Sequence, residues 1–89
     1  MSETSAGGGE VSPLRAVIEV VVRALVDHPD AVRVTETERR GTSVLELKTA
    51  PGDMGKIIGR QGRTAAALRT LLAVTAEKHG KRAQLDIKD

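Results

Sequence analysis

The sequence predicts an α+β fold in the order α-β-β-α-α-β, with three helices packed on one face of a mixed three-stranded sheet. Segments 13–28 and 62–79 place apolar residues at the spacing of amphipathic helices. Segments 32–38, 44–49 and 82–88 are rich in β-branched residues or alternate between apolar and polar side chains, which is typical of strands. These periodicities predict one small domain that combines helices with a sheet.

The first helix is expected to begin at Ser12 and Pro13, because serine is a favourable N-cap and proline suits the first helical position. Pro29 is expected to end it, since the residue before a proline disfavours helical dihedral angles. The predicted inner face consists of apolar residues at helical spacing: Leu14, Val17, Ile18, Val21 and Leu25. Charged residues four positions apart are expected to pair on the opposite face: Arg15, Glu19 and Arg23.

Two strands are predicted to follow as an antiparallel hairpin. The connection 39–42 contains Gly41, which can adopt left-handed dihedral angles in a tight turn. Leu45 and Leu47 alternate along the second strand and are expected on its buried face. Pro51 and Gly52 then end the strand pattern.

A short helix and a long helix are predicted to lead to the third strand. Asp53 is expected to cap the short helix, and Gly59 to end it. Gly80 is expected to stop the long helix. Because helices separate the last two strands in the sequence, these strands can be parallel. The inward-facing residues of the last two elements are predicted to be Ala65, Leu68, Leu72, Ala76, Ala83, Leu85 and Ile87.

Length and composition limit the function classes. The chain has 89 residues, of which 1–10 are polar and glycine-rich and are predicted to form a flexible tail, leaving 11–89 as a single domain. The absence of cysteine excludes disulfides, thiol catalysis and cysteine metal sites. The most apolar stretch, 16–26, carries two charges and is too short to span a bilayer, and no secretory signal is visible. The cytoplasm is therefore the expected location.

The charge is distributed unevenly along the chain. Residues 1–30 carry two Lys/Arg and five Asp/Glu, a net charge of −3, whereas residues 31–89 carry twelve and seven, a net charge of +5. A basic region of this kind favours a polyanionic partner. Because the chain has no Phe, Tyr or Trp, it cannot stack bases on aromatic rings. Binding to a nucleic acid would then depend on backbone contacts, cations and aliphatic surface.

Two glycines bracket a polar pair at 59–62, where the short helix is predicted to end and the long helix to begin. Glycine allows a second backbone to approach closely, and the N-terminus of the long helix presents N–H groups and a partial positive charge to phosphate oxygens. The surrounding segment 52–63 carries a net charge of +2 and two adjacent isoleucines. The candidate binding residues are therefore Lys56, Ile57, Ile58, Gly59, Arg60, Gln61, Gly62 and Arg63.

The segment Gly-Lys-Ile-Ile-Gly-Arg-Gln-Gly, 55–62, resembles the signature of KH domains, whose G-x-x-G loop clamps a short single-stranded nucleic acid by its backbone. The predicted element order is similar to the type II, bacterial form of that fold, and 11–88 resembles the small stand-alone bacterial proteins of the KhpA family. The resemblance implies a cytoplasmic protein that binds single-stranded RNA, as a post-transcriptional regulator or RNA chaperone. It also implies a homodimer or a heterodimer with another KH protein. The clamp would be Gly59 to Gly62, and the N-terminal glycine-rich tail is a departure from the family.

Other site classes fit the sequence less well. A P-loop requires Ser or Thr after Gly-Lys, but Ile57 follows Lys56. A helix-turn-helix DNA reader is disfavoured because the helix before the glycine loop is only about five residues long. His28 and His79 lie at the ends of different helices, and no His or carboxylate cluster has metal-ligand spacing. The sequence predicts no enzyme activity, cofactor, metal or small-molecule substrate.

One alternative function remains open at this point. Leu71 and Val74 extend the apolar surface of the long helix beyond its inner stripe. This surface suits either a wide core-facing stripe or a contact with a protein partner. The alternative is therefore a protein-association adaptor that dimerises with another KH-containing protein and binds RNA weakly.

Overall fold

A computed structural model describes residues 12–88 and confirms the predicted order of elements. The predicted tail lies outside the described residues. Strand order is β1-β2-β3, with β1 antiparallel to β2 and β2 parallel to β3, as the hairpin and the helical crossover predict. The helices and strands are α1 (Pro13–Leu25), β1 (Arg33–Arg39), β2 (Thr42–Lys48), α2 (Met54–Ile58), α3 (Arg63–Lys78) and β3 (Arg82–Lys88).

The hydrophobic core lies between the helices and one face of the sheet. Both predicted core residues of β2, Leu45 and Leu47, are fully buried. In β3, Leu85 is buried, and Ala83 and Ile87 pack against the core while partly exposed. The buried residues of α3 are the four predicted from its periodicity: Ala65, Leu68, Leu72 and Ala76. None of the helices within 12–88 is long and apolar enough to cross a membrane.

The inner face of α1 differs from the prediction. Val22 is fully buried, whereas Leu25 is 40% exposed, and Val17 and Val21 are half-buried. The helix carries apolar residues around more than half of its circumference, so its sequence does not decide which stripe faces the core. Leu25 is the last residue of α1, and with Val21 it lines a groove that opens between α1 and α3.

Both ends of α1 also differ in detail from the prediction. Ser12 occupies the N-cap position, but its hydroxyl makes no capping hydrogen bond. The helix ends at Leu25, four residues before Pro29, because the N–H groups of Asp27 and His28 donate to a carboxylate elsewhere in the chain instead of continuing the helix. The predicted ion pairs on its outer face form at 3.8 Å: Arg15 with Glu19, and Arg23 with Glu19.

The hairpin turn between β1 and β2 is tighter than the sequence alone indicates. Arg39 pairs with Thr42, so the loop contains only Arg40 and Gly41. Both have positive φ, 51° and 81°, which is the geometry of a type I′ turn. The predicted left-handed Gly41 is confirmed, and Arg40 adopts the same region.

Candidate nucleic-acid interface

The glycine-bracketed segment forms a sharp turn between α2 and α3. Gly59 ends α2 with φ 75° and ψ 171°, and its N–H donates to the carbonyl oxygen of Gly55 at 2.8 Å. Gly62 follows with φ 73°, and its N–H donates to the carbonyl oxygen of Gly59 at 3.1 Å. Gln61 between them is also left-handed, with φ 57°. The chain therefore reverses over four residues through three positions with positive φ.

The two glycines have different structural requirements. The dihedral angles of Gly59 lie in a region that side chains with a Cβ almost never adopt. A Cβ there would also lie 2.7 Å from Thr64 Cβ and 2.9 Å from Thr64 N. A Cβ at Gly62 would meet nothing within 4 Å. Gly59 is thus required by packing inside the domain, whereas Gly62 leaves open space on its surface.

The N-terminus of α3 opens onto this space. Gly62 occupies its N-cap position and has no side chain, and no side-chain hydrogen bond caps the helix. The first turn of a helix carries N–H groups without helical acceptors and a partial positive charge. This arrangement suits an anionic ligand such as a phosphate group.

The cations predicted at the site differ in their availability. Arg60 and Arg63 lie at the surface, and Arg63 Nη2 donates to Gln61 Oε1 at 3.2 Å, which holds the guanidinium over the turn. Within residues 12–88, neither arginine belongs to an ion pair. Lys56 Nζ lies 3.1 Å from Asp27 Oδ2, so its charge is partly neutralised. The two arginines are therefore more available to an anionic ligand than Lys56 is.

The two isoleucines before the turn face in different directions. Ile57 is fully buried in the core, so its side chain cannot contact a ligand, and this part of the site prediction is corrected. Ile58 is 37% exposed. Consecutive residues of a helix point about 100° apart, and the side of α2 that faces the core carries Ile57 rather than Ile58. Ile58 remains as the aliphatic surface beside the turn.

Asp53 has a role that the sequence did not reveal. It is only 1% exposed, yet it makes no capping hydrogen bond to α2, which corrects the predicted cap. Its carboxylate instead accepts the N–H groups of Asp27 at 3.2 Å and His28 at 2.9 Å, and lies 3.2 Å from His28 Nδ1. The carboxylate therefore fixes the chain after α1 to the start of the helix that carries the glycine turn.

The ionisation of Asp53 makes this connection sensitive to acid. Burial raises the pKa of Asp53, but the hydrogen bonds from Asp27 and His28 outweigh it, and the pKa lies below its ordinary value. Because the folded pKa is below the unfolded one, the stabilisation is complete above about pH 4 and is lost as the pH falls through the folded pKa.

Changing Asp53→Asn should therefore lower the melting temperature at neutral pH, because a neutral amide is a weaker acceptor for these N–H groups. The difference between wild type and variant should shrink as the pH falls below about 4. Thermal unfolding followed by circular dichroism at a series of pH values measures both effects. A difference that stays constant from neutral to acidic pH would show that the charge of Asp53 does not stabilise the fold.

Curated proteins with similar sequences bear a common name. The chain is 48% identical over 77 residues to the RNA-binding protein KhpA of Aquifex aeolicus, covering 86% of this chain and 98% of that protein. It is 47% identical over 76 residues to the RNA-binding protein KhpA of Halalkalibacterium halodurans, covering 85% and 100%. The RNA-binding protein KhpA of Leifsonia xyli is 51% identical over 69 residues, covering 78% and 88%.

The family assignment rests on nearly the whole of the described structure. Residues 15–87 match the KhpA/KhpB KH-domain family, a range that begins within α1 and ends within β3 and includes the glycine turn. This family is non-enzymatic, which confirms the prediction that the chain is not an enzyme. The observed element order and mixed sheet are those of a type II KH domain. The chain belongs to the KhpA/KhpB family of KH-domain proteins.

Proposed function

We propose that this protein binds single-stranded RNA in the cytoplasm and clamps a short segment of it through the turn at 59–62. The observation that carries this proposal is the left-handed turn itself, which leaves the N-terminus of a 16-residue helix uncapped beside open space at Gly62. The relatives named above are RNA-binding proteins, which supports RNA as the ligand. A role as a post-transcriptional regulator or RNA chaperone fits a clamp with little sequence preference.

The chemistry of the clamp follows from the groups at the turn. Without a side chain at Gly62, an RNA backbone can approach the first turn of α3 closely. The N–H groups of that turn and the guanidinium groups of Arg60 and Arg63 donate to phosphate oxygens, and hydrogen bonds to ionised groups are the stronger kind. If two or three phosphates are neutralised, the logarithm of the binding constant falls with the logarithm of the salt concentration with a slope of about −1.4 to −2.

Base recognition at this site is weak. Ile58 offers an exposed aliphatic surface, and the guanidinium planes of Arg60 and Arg63 can stack on bases. Phe, Tyr and Trp, whose large rings commonly stack on bases, are absent from the chain. The direct test of the proposed clamp is the loss of single-stranded RNA binding when Arg60 and Gln61 both become aspartate, measured by filter binding.

A second candidate function is association with another KH domain, and the groove between α1 and α3 favours it. Most of the residues that line this groove are apolar: Val21, Leu25, Ala67, Leu68 and Leu71. The first two residues of α3, Arg63 and Thr64, line its remaining part. Leu71 is 37% exposed and Val74 is 58% exposed, on the same side of α3. Adjacent exposed apolar residues on two helices are typical of a protein interface. We propose that this surface packs against a second KH domain, in the simplest case another copy of the chain.

Changing Leu71→Asp should convert a dimer into a monomer, because a charge would be buried in the apolar interface. Sedimentation velocity without RNA measures the change. Ala73→Asp is the matched control, since Ala73 is exposed on the same helix and points about 200° away from Leu71. A wild type that sediments as a monomer at high concentration, or a dimer that survives Leu71→Asp, would contradict the interface.

A further inference from the structure

The face of the sheet opposite the helices carries an ordered pattern of charge. Side chains alternate between the two faces of each strand, and Leu45, Leu47 and Leu85 fill the face toward the helices. The strand register places the residues that point the other way in four rows across the uncovered face. From one end to the other these rows are Arg33–Lys48–Lys88, Thr35–Glu46–Asp86, Thr37–Val44–Gln84 and Arg39–Thr42–Arg82.

The first of these rows, which we term the basic row, consists of Arg33, Lys48 and Lys88. All three side chains are exposed, and each comes from a different strand. Neighbouring strands lie about 4.8 Å apart, so the row is about 10 Å wide. Among residues 12–88, no ion pair within 4.0 Å involves any of the three. Three unpaired cations in a line form a local site of positive potential.

The groups next to the basic row limit where a ligand can lie. Arg33 Nη1 donates to the carbonyl oxygens of Asp30 at 2.8 Å and Val32 at 2.9 Å, which holds the guanidinium near the strand end. The next row inward contains Glu46 and Asp86, which repel an anion. A polyanion would therefore follow the basic row along the end of the sheet rather than cross the middle of its face.

The basic row lies at the same end of the domain as the glycine turn. Lys48 is the last residue of β2, and the chain enters α2 six residues later at Met54. Arg33 is the first residue of β1, two residues after the 27–31 connection, whose first two residues bind Asp53 at the start of α2. Lys88 ends β3, and because α3 returns antiparallel to β3 and packs on it, the first turn of α3 lies near this end.

We propose that the basic row is a second phosphate-binding site, which holds the RNA backbone that continues from the segment clamped at 59–62. This inference rests on the proposed RNA-binding function and extends it. A row about 10 Å wide spans about three nucleotides, at roughly 3.4 Å of rise per nucleotide of a stacked strand. With this row in contact, the protein would bind longer RNA more tightly than the clamp alone allows, without reading further bases.

The row at the other end of the same sheet face provides a matched control. Arg39 and Arg82 are exposed on the same face of the sheet, about 20 Å away along the strands. The variant K48Q/K88Q removes two charges at the end of the sheet where the turn lies, and R39Q/R82Q removes two charges at the other end. Arg33 is left unchanged because it also binds backbone carbonyl groups.

The test compares RNA of about 4 nucleotides with RNA of about 10 nucleotides. The shorter RNA fills the clamp, and the longer RNA also reaches the basic row but not Arg39 and Arg82. K48Q/K88Q should weaken binding of the longer RNA about tenfold at low salt. It should also reduce the magnitude of the salt slope by about 1.4, because each phosphate that is no longer neutralised accounts for about 0.7. Its affinity for the shorter RNA should stay within about twofold of wild type, and R39Q/R82Q should retain both affinities.

Several results would overturn the second site. An unchanged affinity of K48Q/K88Q for the longer RNA would show that the row does not touch RNA. An equal loss of affinity for the longer RNA in both double variants would show that the effect comes from the overall net charge of the protein. These outcomes leave the clamp intact, because the shorter RNA still binds. If wild type binds neither RNA, the proposed function and the second site both fail.

Discussion

Replacing Arg60 and Gln61 together by aspartate is expected to abolish binding of single-stranded RNA without unfolding the domain. The change turns the net charge of 52–63 from +2 to −1, because one positive charge is lost and two negative charges are added. Two anions within about 4 Å of a phosphate oppose binding by about 1–4 kcal/mol each. An aspartate at 61 also faces Arg63, which now donates to Gln61, and would neutralise that cation. We expect a loss of at least about 100-fold in filter-binding affinity.

The fold should tolerate this double variant. Both side chains are exposed, and neither packs against the core. Aspartate is also one of the few residues that enters the left-handed region readily, as position 61 requires. The matched control is T37D/R39D, which changes the charge by the same amount at two exposed positions of β1, toward the far end of the sheet. Unchanged RNA affinity in the loop variant, with native circular dichroism, would refute the clamp.

Changing Gly59→Ala is expected to destabilise the domain severely. The backbone of Gly59 lies at φ 75° and ψ 171°, where a side chain costs about 1–3 kcal/mol. The added methyl group would also lie 2.9 Å from Thr64 N, and forced overpacking of this kind costs about 1–3 kcal/mol more. We expect a loss of about 3 kcal/mol or more in the free energy of unfolding, measured by urea denaturation.

Two companion variants separate strain from packing. Gly62→Ala should cost only about 1–2 kcal/mol, since Gly62 is left-handed but has open space around its Cα. The double variant G59A/T64A removes the Thr64 hydroxyl but retains its Cβ and backbone N, so we expect little rescue. Equal stability losses at the two glycines would mean that close packing against Thr64 does not set the requirement for glycine at 59.

Much of the fold follows from local sequence patterns. The four buried residues of α3 recur at helical spacing, and the alternation of 82–88 places Leu85 on the inner face of β3, as the structure confirms. The turn at 59–62 was also evident, because a glycine pair between two helical segments needs no information from elsewhere in the chain. Such features depend on residues within one or two turns of each other, so the sequence predicts them. That residues 56 and 58–63 bind RNA stays a prediction.

The order of elements, the parallel and antiparallel pairings and the position of the glycine turn could all be predicted from the sequence. Other features depend on the packing of the whole domain. Ile57 is buried while Ile58 is exposed, Lys56 pairs with Asp27, and Asp53 binds the chain after α1. This packing also brought three cations from separate strands into one row, at the end of the sheet where the turn lies. These features bring together residues that are far apart in the sequence, up to 55 positions for Arg33 and Lys88. Their proximity depends on how the helices and strands pack. No local periodicity encodes that packing, because each segment alone is compatible with several burial patterns.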